Sequence, residues 1–78
     1  MRVGMSPEAA AEVLTALVAG LKAQHKLYEL TSGEMSSMDK RLAKWELKQS
    51  MKKIVYFNGI LGKYTKAQLK EFKGLVIE

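Results

Sequence analysis

The sequence contains no cysteine, one histidine and one proline among 78 residues. The absence of cysteine excludes disulfides, thiolate metal ligands and a cysteine nucleophile, and it is compatible with a cytoplasmic location. His25 lies on the predicted polar edge of a helix with no carboxylate at a catalytic spacing, so we interpret it as an isolated surface residue. No set of nucleophile, base and orienting residue is present, and the sequence therefore predicts a protein that is not an enzyme.

Groups of metal ligands are scarce as well. Glu8 and Glu12 stand four residues apart on one helical face, but no histidine lies beside them. A zinc site normally combines imidazole, thiolate or carboxylate ligands from several positions. We therefore predict no metal site and no cofactor.

Long hydrophobic runs are also missing. The longest uncharged stretch in the first predicted helix, 13–21, has nine residues, whereas a bilayer-spanning helix needs roughly 20. Glu12 and Lys22 flank this stretch in place of the basic lead-in of a secretory signal, so we interpret it as core and predict no transmembrane segment. Met5 is an alternative start, because residues 1–4 carry no structural signal.

The length and composition predict one packed domain spanning residues 1–78. Hydrophobic residues make up 47% and charged residues 27% of the chain, which is ordinary for a folded protein. A chain this short buries only a small core, and covering more apolar surface by association would stabilise it. Self-association, as a homodimer, is therefore an expectation from size alone.

Three helices are predicted, at about 7–32, 37–58 and 66–76. The first opens at Ser6-Pro7, with a serine cap and proline at the first helical position, and ends with Gly33 as a left-handed stop. The third begins with a capping box formed by Thr65 and Gln68. No strand-like alternation is visible, so the predicted fold is all-α: a hairpin of two long helices with a shorter third helix packed across them as a three-helix bundle.

The second predicted helix has two apolar sides and therefore needs two neighbours. Trp45 lies on one of these sides and is predicted to be in the core. At about 100° per residue, the two sides separate as follows. The first consists of Met38, Leu42, Trp45, Gln49 and Tyr56, and the second of Ala43, Leu47, Ile54 and Phe57.

Positive charge is concentrated in the second half of the chain. Residues 1–38 carry three basic and four acidic side chains, whereas residues 39–77 carry ten basic and three acidic ones. This asymmetry points to a phosphate-rich or acidic partner. The predicted binding residues are Lys40, Arg41, Lys44, Lys48, Lys52, Lys53, Lys63, Lys66, Lys70 and Lys73.

The first functional hypothesis is a nucleic-acid-binding protein that contacts backbone phosphates. Lysines on phosphates give salt-sensitive attraction that is independent of sequence. Reading of bases is not expected, because the chain has two arginines and few polar base readers. The alternative interpretation of the same residues is a solvated lysine face that maintains solubility.

The second hypothesis is a non-enzymatic interaction module that docks its basic face on an acidic protein. Met51 and Val55 fall among the lysines, and protein interfaces combine an apolar centre with a polar rim. Attachment to anionic lipid is a third hypothesis, which requires Trp45 and Phe57 to leave the core.

Two further patterns have structural and functional interpretations. Ala16, Gly20 and Ala23 form a small-residue edge that would admit a second helix, although alanine is also simply the best helix former. Residues 59–65 lead into a helix N-terminus, where phosphate can bind, but they lack the spacing of a Walker A loop. We favour Gly59 as a helix cap, followed by a connector whose Ile60 and Leu61 lie in the core.

Overall fold

A computed structural model of the chain describes residues 6–77. Three α-helices are present in this range: α1 spans Pro7–Thr31, α2 spans Ser37–Leu61 and α3 spans Lys66–Lys73. A short 3₁₀ turn, Ser32–Glu34, joins the first two helices. The all-α prediction is confirmed, with α1 and α2 as a hairpin and α3 as a shorter third helix. Met5, the predicted alternative start, lies outside the described residues.

Side-chain caps fix where the helices begin. The Ser6 hydroxyl accepts the Ala9 N–H at 3.2 Å, and the Ser36 hydroxyl accepts the Asp39 N–H at 3.1 Å. The capping box at the start of α3 is complete, because the Gln68 side chain also accepts the Thr65 N–H at 2.9 Å. Each cap satisfies backbone donors that have no partner inside the helix.

The helix ends differ from the sequence prediction. Gly59 is not a cap: α2 continues to Leu61, and the left-handed residue is Gly62, with φ of 63°. Consequently Ile60 lies in the helix and is exposed, whereas Leu61 packs against the core. Gly33 is part of the 3₁₀ turn and has no positive φ, because the Met35 N–H bonds the Ser32 carbonyl.

The last helix also ends earlier than predicted, at Lys73 instead of residue 76. The Gly74 N–H bonds the carbonyls of Lys70 and Glu71, and the chain then turns. Glycine has little intrinsic preference for a helix, and the turn lets residues 75–77 pack against the core. The end of the described chain is therefore a packed tail.

Alanine substitutions at Gly59 and Gly62 are expected to change stability in opposite directions. At Gly62 the left-handed backbone opposes a side chain, so Gly62→Ala should destabilise the protein by about 1–2 kcal/mol. Gly59 is inside the helix, and apart from the adjacent helix backbone no atom of residues 6–77 lies within 4 Å of an added Cβ, so Gly59→Ala should stabilise the protein by about 0.5–1 kcal/mol. Urea unfolding of both variants measures the change in the free energy of unfolding. A change in the same direction for both variants would contradict the position of the helix cap at Gly62.

The core lies between α1 and α2 and is closed by α3. Four side chains from the two long helices are fully buried, and Phe72 of α3 covers them. The apolar residues recur at helical spacing on the facing sides of both helices. The buried apolar residues of this cluster are Leu14, Val18, Leu21, Leu47, Met51, Ile54 and Phe72.

The prediction that Trp45 lies in the core is wrong, because its side chain is 56% exposed. It belongs to the first apolar side of α2, which points away from α1. Only the second side, with Leu47 and Ile54, packs on α1, and the short α3 packs beside Met51 on the same half of the helix. The fold of the described residues therefore supplies one neighbour fewer than the apolar pattern of α2 requires.

Candidate functional site

An open groove of about 370 Å³ lies between α2 and the C-terminal segment. Three lysines form its rim, and its floor is apolar. We call this feature the basic groove. Its rim consists of Lys48, Lys52 and Lys73, and its floor consists of Met51, Val55 and Val76.

The basic groove exists because α3 runs back along α2. The connector 62–65 reverses the chain, and Lys73 at the end of α3 then lies near the middle of α2. Asn58 fixes this reversal: its side-chain oxygen accepts the Tyr64 N–H at 2.7 Å, and its side-chain amide donates to the Tyr64 carbonyl at 3.1 Å. Asn58 is 8% exposed and has both side-chain functions satisfied. No sequence motif identified this residue.

Aromatic contacts hold the inner face of α3. The Tyr64 and Phe72 rings meet edge to face, with centroids 5.1 Å apart and planes at 87°. Lys22 of α1 places its Nζ 5.7 Å from the Phe72 ring centroid. Edge-to-face pairs and cations over rings are both favourable arrangements of the ring quadrupole. These contacts leave the opposite face of α3, with Lys66, Lys70 and Lys73, exposed to solvent.

His25 holds the tail and is not an isolated surface residue. Its Nδ1 donates to the Leu75 carbonyl at 2.9 Å, and its Nε2 lies 3.3 Å from the Glu29 carboxylate. The contact with Leu75 joins positions fifty residues apart in sequence, which is why the sequence pattern did not predict it. His25 therefore positions residues 75 and 76, and Val76 in turn forms part of the groove floor.

Within residues 6–77, no ion pair neutralises the positive charges of the groove. Across residues 6–77, His25 with Glu29 is the one pair in which a basic nitrogen lies within 4.0 Å of a carboxylate oxygen. The three acidic residues among 39–77, Asp39, Glu46 and Glu71, do not line the groove. Uncompensated charge of one sign around a concave surface focuses a field that attracts anions.

The structure brings together some of the predicted binding residues and separates others. Lys66 and Lys70 share the face of α3 that carries Lys73, because these residues are spaced by four and three positions. Arg41 is exposed and lies on the same flank of α2 as Lys48, seven residues on. These positions extend the rim of the basic groove along both helices.

The remaining basic residues lie elsewhere. The Lys63 ammonium donates to the Thr15 hydroxyl at 2.7 Å, so this side chain lies against α1 and away from the groove. Lys53 borders a shallow depression beside Trp45 and Glu46 on another flank of α2. Lys40 and Lys44 are half-buried, since the four-residue lysine row drifts by about 40° per step and begins near the core side.

The comparisons give no match. Neither family models, nor curated proteins, nor solved structures are similar to this chain. Its function is therefore inferred from its own residues. No group of three His, Asp or Glu side chains in the described range 6–77 is arranged to hold a metal. None of α1, α2 and α3 has the length and hydropathy of a bilayer-spanning helix.

The predicted partner surfaces have different exposures. Met51 is buried in the core and Val55 is exposed, so an incoming group would meet Val55 first. Ala16 and Ala23 are exposed and Gly20 is half-buried, on an edge of α1 that does not form the core. Apart from the adjacent backbone of α1, no atom of the described chain lies within 4 Å of a Cβ added at Gly20. The small-residue edge is thus unused inside the fold.

Proposed function

We propose that this protein is a non-enzymatic nucleic-acid-binding protein whose basic groove contacts backbone phosphates without strong sequence specificity. The observation that supports this proposal is the convergence of Lys48, Lys52 and Lys73 on one groove, with no carboxylate among the described residues that line it. Each lysine placed on a phosphate releases a condensed counterion. Lys66, Lys70 and Arg41 continue the positive surface, so a strand longer than the groove meets charge along its length.

The same surface offers little for reading bases. Arg41 is the one arginine among residues 6–77, and Arg is the side chain that most often reads guanine through two hydrogen bonds. Asn58 and Gln68, which have suitable amides, are committed to the connector and the α3 cap. Lysine acts as a point charge without the fork geometry of arginine. These features favour phosphate contacts that position a nucleic acid without selecting its sequence.

A second function is favoured by the floor of the groove. Val55 and Val76 are apolar and accessible between the lysines, and an acidic protein segment with an apolar side chain would cover both features. In this case the protein is an interaction module, and its partner supplies carboxylates to Lys48, Lys52 and Lys73. DNA needs the charges alone, so substitution of Val55 by serine distinguishes the two functions.

Neutralising the groove is expected to weaken binding to a short DNA duplex. The variant Lys52→Gln/Lys73→Gln removes two rim charges and should lower the affinity by about tenfold or more at low salt. The matched control, Lys26→Gln/Lys63→Gln, removes two charges outside the groove and should change the affinity much less. Fluorescence anisotropy with a labelled duplex and a labelled single-stranded RNA measures both.

If both variants lost the same amount of affinity, the groove would be rejected as the binding site, and binding would depend on the net charge of the protein alone. An acidic peptide containing leucine serves as the probe for the second function. The interaction module replaces nucleic-acid binding as the function if three results hold together. The peptide binds the wild type, it binds Val55→Ser more weakly, and neither the duplex nor the RNA binds the protein or displaces the peptide.

A further inference from the structure

The side of α2 opposite α1 carries a row of large apolar side chains, with Gln49 in the middle and with Lys52 and Lys53 in the gap between Gln49 and Tyr56. The five apolar members are between 52% and 79% exposed. Their spacing of three, four or seven residues places them on one face of the helix. We call this row the outer stripe. It consists of Met38, Leu42, Trp45, Gln49, Tyr56 and Ile60.

The outer stripe is a feature of the long helix and is separate from the basic groove. Within the described residues, α1 covers the other side of α2, and the groove lies along one of its flanks. Monomeric proteins rarely leave apolar rows of this kind uncovered. We therefore expect another helix to cover the outer stripe, and the sequence of α2 indicates that this helix is α2 of a second copy.

The outer stripe is symmetric about Gln49. Leu42 and Tyr56 lie seven residues on either side of Gln49, and Met38 and Ile60 lie eleven residues on either side. An antiparallel second copy of α2, related by a two-fold axis at Gln49, therefore pairs Leu42 with Tyr56 and Met38 with Ile60, whereas Trp45 has Lys53 of the second copy opposite it. The two Gln49 amides meet at the axis, where a polar residue specifies the register.

Charge selects the antiparallel arrangement over the parallel one. Glu46 lies three residues before Gln49, and Lys53 lies four residues after it on the same flank of α2. An antiparallel copy thus brings Glu46 beside Lys53 of the second copy, and it places Trp45 opposite Lys53 of that copy. A parallel copy in register would place each lysine beside itself, and like charges at this distance repel.

Glu46, Lys53 and Trp45 already share one edge of the stripe. They line a single shallow depression together with Gln24, Gln49 and Ser50. Glu46 and Lys53 form no ion pair with each other within the described chain, so both are available to a second copy. The ammonium of Lys53 would reach the Trp45 ring of that copy as a cation over an aromatic face.

We propose that the protein is a homodimer in which the outer stripes of two α2 helices pack antiparallel about a two-fold axis at Gln49. This inference depends on the outer stripe alone and not on the proposed function. The axis is perpendicular to both helices, so it keeps the Lys48 and Lys52 flanks of both copies on the same side. The two basic grooves then form one longer positive surface, which deepens the proposed binding of nucleic acid.

Single introduced cysteines test the register, since the chain has no cysteine of its own. Gln49→Cys places two thiols at the axis, and oxidation should produce a disulfide-linked dimer. Met38→Cys should not crosslink, because in the antiparallel dimer the two copies of position 38 stand 22 residues apart along the helices, about 33 Å. Crosslinking at both positions would overturn the proposal in favour of a parallel pair, and crosslinking at neither would overturn it outright.

Sedimentation velocity across a dilution series tests the surface itself. Leu42→Glu should give a monomer, whereas Leu30→Glu should leave the dimer intact, since Leu30 is 74% exposed on α1 and lies outside the stripe. Glu46→Lys should weaken the dimer by about tenfold, because each substitution alters two symmetric contacts, and Glu46→Lys/Lys53→Glu should restore it. A wild-type monomer, or a Leu42→Glu variant that still dimerises, would overturn the proposal.

The dimer and the binding of nucleic acid can each be contradicted without contradicting the other. A monomeric Leu42→Glu variant retains its own Lys48, Lys52 and Lys73, so it should still bind DNA with one groove. Loss of the dimer without complete loss of DNA binding therefore supports both proposals. A dimer that binds no nucleic acid supports the dimer proposal and contradicts the proposed function.

Discussion

Replacing Phe72 with alanine is expected to lower the free energy of unfolding by about 3–5 kcal/mol. Phe72 is the buried residue of α3 and closes the cluster formed by α1 and α2. Its removal leaves a cavity under α3 and deprives Tyr64 and Lys22 of their ring contacts. Small domains have a total stability of about 5–15 kcal/mol, so this single change removes a large part of it. Urea unfolding followed by circular dichroism measures the loss.

The same substitution should also disturb the basic groove. Lys73 follows Phe72 directly, and Val76 follows in the packed tail, so both depend on the docking of α3. Leu30→Ala is the matched control, because this exposed side chain contributes little and should change stability by less than about 0.5 kcal/mol. A Phe72→Ala variant as stable as that control would show that α3 does not close the core.

Replacing Asn58 with leucine is expected to cost about 2–4 kcal/mol. The Tyr64 N–H and carbonyl both bond the Asn58 side chain in part-buried positions, and leucine leaves both without that partner. Each unsatisfied buried group costs roughly 1–3 kcal/mol. The gain from burying an aliphatic side chain offsets only part of this loss. Thermal and urea unfolding give the change in stability.

The variant Asn58→Asp tests the two hydrogen bonds to Tyr64 separately. A carboxylate still accepts the Tyr64 N–H but cannot donate to the Tyr64 carbonyl. We expect its loss of stability to lie between those of the wild type and the leucine variant. If Asn58→Leu proved neutral or stabilising, the side-chain bonds to Tyr64 would not be what holds α3 against α2.

Much of the fold follows from local sequence. Ser6 with Pro7, Ser36 with Asp39, and Thr65 with Gln68 are short-range patterns, and each begins a helix in the structure. Helix ends are less well determined by such patterns. Both Gly59 and Gly62 are suitable caps by type, and the choice of Gly62 depends on the tertiary contact of Asn58 with Tyr64.

The apolar pattern of α2 correctly indicated two sides but did not show which of them the chain covers. Its position inside one apolar side of the helix predicts that Trp45 lies in the core, yet the other side, with Leu47 and Ile54, packs on α1. A one-dimensional pattern cannot rank two apolar faces when the fold supplies neighbours for only one. The exposed outer stripe is therefore a finding of the structure and the basis of the dimer proposal.

The candidate site was predictable in composition but not in geometry. Counting charges identified the basic half of the chain, and helical spacing placed Lys48 and Lys52 on one flank of α2. Lys73 joins them only through the reversal at residues 62–65, and Lys63 leaves them because its ammonium bonds Thr15. These long-range contacts depend on how α3 docks, which spacing within one helix does not determine.

The dependence of DNA affinity on salt tests the basic groove most directly. For duplex DNA the logarithm of the binding constant falls linearly with the logarithm of the salt concentration, by about 0.9 for each phosphate contact. The wild type should show a negative slope, and Lys52→Gln/Lys73→Gln should flatten it by about 1.8, corresponding to two lost contacts. The control Lys26→Gln/Lys63→Gln should keep the wild-type slope. An absence of binding at low salt, or identical slopes for all three proteins, would contradict phosphate binding in this groove.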